Sequence, residues 1–261
     1  RDFPSISPTY ASGLVVLDVE MGEVTFQASS DAGETYERLA WHPSNNWLTV
    51  LSWKRRGLPE PGWHLFDMDL RDGKRRSRIG HGIHEIGTIK WSPNGKKLAM
   101  GYSPYSGEVR MLCAMIEADS TQVRILNDEY FIHAIYWDGD SRKVFCCGLK
   151  GISSHIFCVD TVSGRREVVA DRTGVNSLSG ISRDERTLLT VFRGLTSIHD
   201  VYVISLDSGR WQSRAVTHFS DQLAKYDLSN AEVVEWPSYD GLVLQGVIVP
   251  PLGKSMSPEY P

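Results

Sequence analysis

Trp91-Ser92-Pro93-Asn94-Gly95-Lys96-Lys97-Leu98 decides the fold. An apolar run enters through Ile89 and ends on the indole of Trp91. Pro93 pre-sets φ, and Gly95 can take the positive φ that a tight reversal needs. A second apolar run, Leu98-Ala99-Met100-Gly101-Tyr102, then leaves. The pattern is a hairpin, and it recurs. Leu39-Ala40-Trp41-His42-Pro43-Ser44-Asn45-Asn46-Trp47-Leu48 is an earlier copy, and Ile135-Tyr136-Trp137-Asp138-Gly139-Asp140-Ser141-Arg142-Lys143-Val144 a later one. Ser179-Gly180-Ile181-Ser182-Arg183-Asp184-Glu185-Arg186-Thr187-Leu188 is a fourth. The anchors Trp41, Trp91, Trp137 and Ile181 are spaced by 50, 46 and 44 residues.

A second hairpin series alternates with the first. Its turns fall at Glu20-Met21-Gly22, Asp72-Gly73, Asp119-Ser120, Ser163-Gly164 and Asp207-Ser208-Gly209, each after an apolar strand. Asp-Gly and Ser-Gly between alternating apolar runs signal a hairpin. Two hairpins per unit of roughly 45 residues make a four-stranded propeller blade. The expected class is therefore all-β, a β-propeller of four-stranded antiparallel blades. No amphipathic helical window appears, which excludes α/β alternation for most of the chain. Five outer hairpins against four inner ones place the start within a blade, at about its third strand. The sequence thus encodes about four and a half blades. Closed propellers have four to eight complete ones, so further blades are expected before this chain or on a partner. Trp41, Trp91 and Trp137 are expected as core anchors between blades.

Bulk properties narrow the function. The chain has 261 residues, 41% hydrophobic and 23% charged, with a net charge of −4. That balance provides no field for nucleic acid or an anionic membrane, and no apolar run nears the roughly 18 residues of a membrane span. Neither nucleic acid nor membrane is expected as a partner; self-association into a homo-oligomer stays open. The start, Arg1-Asp2-Phe3-Pro4, has no signal-like apolar stretch behind it. Cys113, Cys146, Cys147 and Cys158 read as buried free thiols of a reducing compartment, which places the chain in the cytoplasm. A bridge from Cys146 or Cys147 to Cys158 is the alternative.

The Trp91–Leu98 repeat resembles that of TolB-type propellers and of the propellers of prolyl oligopeptidases, dipeptidyl peptidases and acylaminoacyl peptidases. The stretch from Asn230 to Pro251 narrows this, above all Val233-Val234-Glu235-Trp236-Pro237-Ser238-Tyr239-Asp240-Gly241 followed by Val243 to Pro250-Pro251. It is similar to the crossing segment of acylaminoacyl-peptidase-like and dipeptidyl-peptidase-like members of the prolyl oligopeptidase family. There, a strand pair with a Ser-x-Asp-Gly turn leads from propeller to α/β-hydrolase domain. The resemblance covers nearly the whole chain. It implies a propeller over residues 1–229 and a junction over 230–261, with Trp236, Asp240, Gly241, Pro250 and Pro251 as hinge residues. It also implies a serine peptidase acting by acyl transfer on peptides that reach a hydrolase domain on the same or a separate polypeptide. The propeller would gate substrate access. No Gly-x-Ser-x-Gly occurs here, so no catalytic residue is assigned to this chain, and it is expected to be inactive alone. No metal ligand and no cofactor is assigned either.

Two other classes compete. One is a free-standing TolB-like interaction propeller. The other is a sialidase-like glycosidase, because Ser29-Ser30-Asp31-Ala32-Gly33-Glu34-Thr35-Tyr36 fits a single Asp box. Against the latter, this segment links two blades in the register above, whereas an Asp box lies within one. Three further motifs are read as ordinary surface. His81-Gly82-Ile83-His84-Glu85 is expected as an inter-blade loop, Arg71-Asp72-Gly73-Lys74-Arg75-Arg76-Ser77-Arg78 as a solvated hairpin tip, and Tyr102-Ser103-Pro104-Tyr105 as a loop. Trp137-Asp138 is not a WD repeat, since it ends a first strand.

Overall fold

The computed structural model describes residues 12–55, 62–79, 83–104, 110–184, 186–207, 210–226, 228 and 230–252. The expected hairpins form throughout these. Strands β1 (Gly13–Leu17) and β2 (Val24–Ser29) make a two-stranded sheet. Four four-stranded antiparallel sheets follow in sequence order. The first blade is β3 (Glu34–Trp41), β4 (Trp47–Lys54), β5 (Gly62–Asp69) and β6 (Arg75–Ile79). The second is β7 (Ile83–Trp91), β8 (Lys97–Pro104), β9 (Leu112–Glu117) and β10 (Arg124–Asn127). The third is β11 (Phe131–Trp137), β12 (Lys143–Lys150), β13 (Ser153–Asp160) and β14 (Arg166–Ala170). The fourth is β15 (Val175–Ile181), β16 (Thr187–Arg193), β17 (Asp200–Asp207) and β18 (Arg210–Ala215). A 3-10 turn, Phe219–Lys225, precedes a separate hairpin of β19 (Glu232–Pro237) and β20 (Val243–Ile248). The chain divides into two compact units, residues 1–125 and 126–261, with the boundary inside β10.

The repeated turn has one geometry with variable residues. In the second blade Gly95 N–H donates to Ser92 O (2.8 Å) and Ser92 N–H to Lys97 O (2.8 Å). Ser92 Oγ accepts from Lys97 N–H (2.9 Å). In the third blade Asp138 Oδ1 takes that role, accepting from Arg142 and Lys143 N–H at 2.8 Å each. The left-handed position is Gly95 (φ +69°) in one copy, but Asn45 (φ +57°) and Ser141 (φ +60°) in two others. Asn enters this region at modest cost. Gly95 has a further reason to lack a side chain. Its carbonyl accepts from His42 Nε2 (3.0 Å), and a Cβ at 95 would lie 2.7 Å from that nitrogen.

Period-two alternation sets which face each residue covers. In β4 and β5, Leu48, Val50, Phe66 and Met68 pack with Leu14 of the first sheet. Leu51 and Leu65 on the other face pack against Ile86, Ile89, Trp91, Leu98 and Met100 of the second blade. Within residues 126–261, Phe145, Cys147, Ile156 and Cys158 of the third blade pack with Leu178, Leu188 and Ile204 of the fourth. All four cysteines are free and buried. Cys146 faces Phe157 and Cys147 faces Ile156, so neither opposes Cys158 across the sheet. Burial pushes the Cys147 thiol up to about 12 and the Cys158 thiol up to about 11.

Four sequence expectations need correction, the first being that Ile83–Glu85 of the expected inter-blade loop open strand β7. Trp91 and Trp137 are buried, but Trp41 is 50% exposed. Trp91 packs back onto the second strand of the preceding blade, where its Nε1–H donates to Thr49 Oγ1 (2.9 Å). Among the described residues the two-stranded β1–β2 sheet precedes Trp41, and it offers no such strand. Its indole borders an open cleft of about 550 Å³ with Val16, Leu17, Phe26 and Leu70. The basic run is a solvated tip only from Arg71 to Lys74, since Arg75–Arg78 belong to β6 and Arg78 is buried. Tyr102–Pro104 end strand β8 rather than forming a loop. Tyr105, Arg1–Pro4, His81, Gly82, Glu185, Ser208, Gly209 and Ser255–Pro261 lie outside the described residues.

Arg78 ties the first two blades together. Its Nε donates to Asp67 Oδ1 (2.9 Å), its Nη2 sits 2.7 Å from Asp67 Oδ2, and its Nη1 donates to Ala118 O (3.0 Å). The guanidinium lies 4.9 Å from the Trp91 ring centre. Thr49 Oγ1 donates to Asp67 Oδ1 (2.7 Å), which closes the network. Removing one partner of such a buried pair costs about 3–5 kcal/mol, because the other charge is stranded. Arg78→Ala should therefore lower unfolding free energy by about 3 kcal/mol in urea titration. Asp67→Asn combined with Arg78→Met should recover more than half of that loss. An Arg78→Ala midpoint equal to that of the parent protein would refute the assignment.

Candidate functional site

The β19–β20 hairpin stands apart from the blades. Its strands pair only with each other, from Glu232↔Ile248 to Pro237↔Val243. The turn is built from the expected residues. Ser238 N–H donates to Leu242 O (2.7 Å), Gly241 N–H to Ser238 O (3.0 Å), and Leu242 N–H to Asp240 Oδ1 (3.2 Å). Gly241 takes φ +85°, a conformation that side chains disfavour. Pro250 and Pro251 follow the last strand, where proline cannot extend a ladder.

The two faces of the hairpin differ. Glu232, Val234, Trp236, Leu244, Gly246 and Ile248 share one face by register, with the single carboxylate at its far end from the turn. Trp236 pairs with Leu244 and lies over Gly246, where a Cβ would be 3.0 Å from the indole. Trp236 is 45% exposed and Leu244 40%. Val234, Gly246 and Ile248 beside them are half-buried, so the exposed apolar surface of this face is the Trp236–Leu244 pair next to the turn. Val233, Glu235, Gln245 and Val247 share the other face. Gln245 and Val233 meet the third blade there, lining a cavity of about 450 Å³ with Tyr130, Lys150, His155 and Asp171. The His155 imidazole is held below its ordinary value by burial.

The approach to the hairpin is fixed by Asp200 at the start of β17. Asp200 Oδ1 accepts from Thr217 Oγ1 (2.8 Å) and Phe219 N–H (2.6 Å), and Oδ2 from Ser220 N–H (3.1 Å). An apolar cleft of about 410 Å³ is lined by Leu195 from the β16–β17 connection, Leu223 and Leu228 on the approach, and Val249 and Leu252 on the exit. Tyr239, Leu242, Val243 and Val249 are exposed nearby. The hairpin thus presents apolar surface on a short sheet whose chain ends are both steered.

Trp236, Asp240 and Gly241 fall together on the hairpin, and Pro250 and Pro251 at its exit. The anchors Trp41, Trp91 and Trp137 end the first strands of three blades. Sequence reading missed Asp200, Gly151 and Gln245. Nothing local marks Asp200, whose partners lie 17 to 20 residues on. No group of three or more His, Cys, Asp or Glu side chains suited to a metal occurs among the described residues. Ser30 and Asp31 connect β2 to β3, and Ser30 Oγ donates to Glu34 O (2.7 Å). The Asp-box-like segment therefore lies between sheets and not within one. No helix among the described residues is long and apolar enough to cross a membrane.

Hydrogen bonds from Ser220 and Thr217, with the two backbone N–H groups, hold the Asp200 carboxyl down at about 2. An unfolded Asp titrates near 3.9. A depressed carboxylate stabilises above its unfolded value and loses that contribution as pH falls through the folded one. The turn at Phe219–Lys225 should therefore loosen between about pH 4 and pH 2. Hydrogen exchange over residues 216–226, corrected for intrinsic rates, should show that step. Asp200→Asn should exchange fast already at pH 5 and show no step, and a flat profile in the unmodified protein would count against this role.

No family profile matches the sequence, and no curated protein matches it. Solved structures do. Pyrococcus horikoshii acylaminoacyl peptidase matches with TM-score 0.69 at 16% identity, over 94% of this chain and 37% of that one. A puromycin hydrolase S511A mutant complexed with PGG matches at 0.65 and 16%, over 93% and 43%. TolB from Acinetobacter baumannii matches at 0.58 and 15%, over 91% and 57%. The chain thus spans at most 57% of these three proteins. The likeness to peptidases and TolB alike makes the fold a β-propeller, with the four-stranded blades and flanking two-stranded sheets described above.

Proposed function

We propose that this chain is the non-catalytic, substrate-gating propeller of a serine peptidase of the prolyl oligopeptidase family. The catalytic α/β-hydrolase domain would lie on the same polypeptide or a separate chain and cleave peptides by acyl transfer. The carrying observation is the β19–β20 hairpin, which among the described residues forms a sheet of its own and exposes Trp236 and Leu244. An apolar face on a short sheet suits burial against another domain. Likeness to an acylaminoacyl peptidase and a puromycin hydrolase supports the same reading. Residues 1–229 act as the propeller and 230–261 as the junction, with Trp236, Asp240, Gly241, Pro250 and Pro251 at the hinge. The four buried free thiols suit a reducing compartment, and we place the protein in the cytoplasm.

A TolB-like interaction propeller is the second reading, and the likeness to TolB favours it. The two separate on one measurement. The full protein carrying this chain should react with a fluorophosphonate probe at a single serine. Trp236→Asp should lower its peptide hydrolysis at least about tenfold, since a carboxylate forced into an apolar interface costs well over 1.4 kcal/mol. Absence of probe labelling would remove the peptidase reading and leave the interaction module.

A further inference from the structure

The hairpin is held to the third blade at a point. Gln245 Oε1 accepts from Ile152 N–H (3.4 Å), in the turn between β12 and β13. Gln245 Nε2 donates to Glu235 Oε1 on the neighbouring strand, directly across the register. One side chain therefore bonds its own hairpin and the blade at once. Around it, the hairpin and blade are separated by the cavity that Val233, Gln245, Tyr130, Lys150 and His155 line.

Gly151 receives this side chain. It takes φ +59°, where residues other than glycine are strained. A Cβ at 151 would collide with Gln245 Oε1 and lie 2.9 Å from Cδ. The conformation and the missing side chain serve one contact. A turn needs the first of these alone, as Asn45 and Ser141 show elsewhere in the chain. Gly164 also has positive φ in an outer turn, yet a Cβ there would meet nothing within 4 Å.

We propose that Gln245 is a peg seated in a notch at Gly151–Ile152, and that this latch sets the angle at which the hairpin leaves the third blade. Glu235 orients the peg, and the Ile152 amide receives it. With the peg withdrawn, the hairpin would swing about its two chain connections, through Ala231 and Val249. What that swing does to an attached domain rests on the docking reading above; the latch itself does not.

The test is hydrogen exchange on this chain, read over residues 148–155 and 232–248. A net hydrogen bond of about 1 kcal/mol corresponds to a severalfold change in local opening. Gln245→Ala should speed exchange at both segments about fivefold and leave residues 143–147 of β12, 156–160 of β13 and the other blades unchanged. Gln245→Glu should do the same, because it cannot donate to Glu235 and repels it. Gly151→Ala should speed both segments in the parent and add little in the Gln245→Ala background, where the colliding atoms are gone. Unchanged hairpin exchange in Gln245→Ala, or fully additive effects of the two substitutions, would overturn the latch. Because Gln245 and Trp236 occupy opposite faces of the hairpin, either result leaves the Trp236→Asp docking test independent.

Discussion

Blade-on-blade packing is the constraint on which the rest depends. A four-stranded sheet with apolar residues on both faces cannot be satisfied by one neighbour. Strand β4 shows this directly, since Leu48 and Val50 turn to the β1–β2 sheet and Leu51 to the second blade. The strand is buried from Leu48 to Ser52. At the interface of the first two blades, apolar contact is supplemented by Arg78, Asp67, Thr49 and Trp91. Such a network adds little net stability over a hydrocarbon interface, but it is intolerant of a missing member. Its value is register, because Trp91 Nε1 and the Arg78 guanidinium find their acceptors in one stacking only.

That constraint separates what is legible in the sequence from what is not. The turns are legible because their chemistry is local. Pro93 sets the backbone, and Ser92, Asn94 and Gly95 close the turn with bonds that all lie between residues 92 and 97. Strand number and order follow from those turns. Arg78 is not legible, because it continues a basic run whose first members are solvated. Only the pairing of β5 with β6 places it beside Asp67. Trp41 fails in the opposite way. Its motif equals that of Trp91, but the burial of each indole depends on the preceding sheet, which the motif does not contain.

The same distinction holds at the junction. Asp240 and Gly241 announce their turn, and Trp236 its strand. Gln245 and Gly151 are 94 positions apart by their numbers and carry no mutual signal. Their relation exists only once β12, β13 and the hairpin are in place. Gly151 alone reads as one of many turn glycines. The seat it leaves for the Gln245 side-chain end marks it as more than that.

These observations place stiffness and freedom in different parts of the chain. The blades are fixed by sandwiched strands and buried polar contacts, and they would open only by losing an interface. The hairpin is joined to the third blade through Gln245, with a cavity beside that contact and Trp236 and Leu244 exposed on its other face. Asp200 secures the approach through four hydrogen-bonding groups on Thr217, Phe219 and Ser220. Motion is therefore expected in the hairpin rather than in the segment that carries it. A hairpin held this way can change its angle while the blades keep their register, because the two are fixed by different contacts.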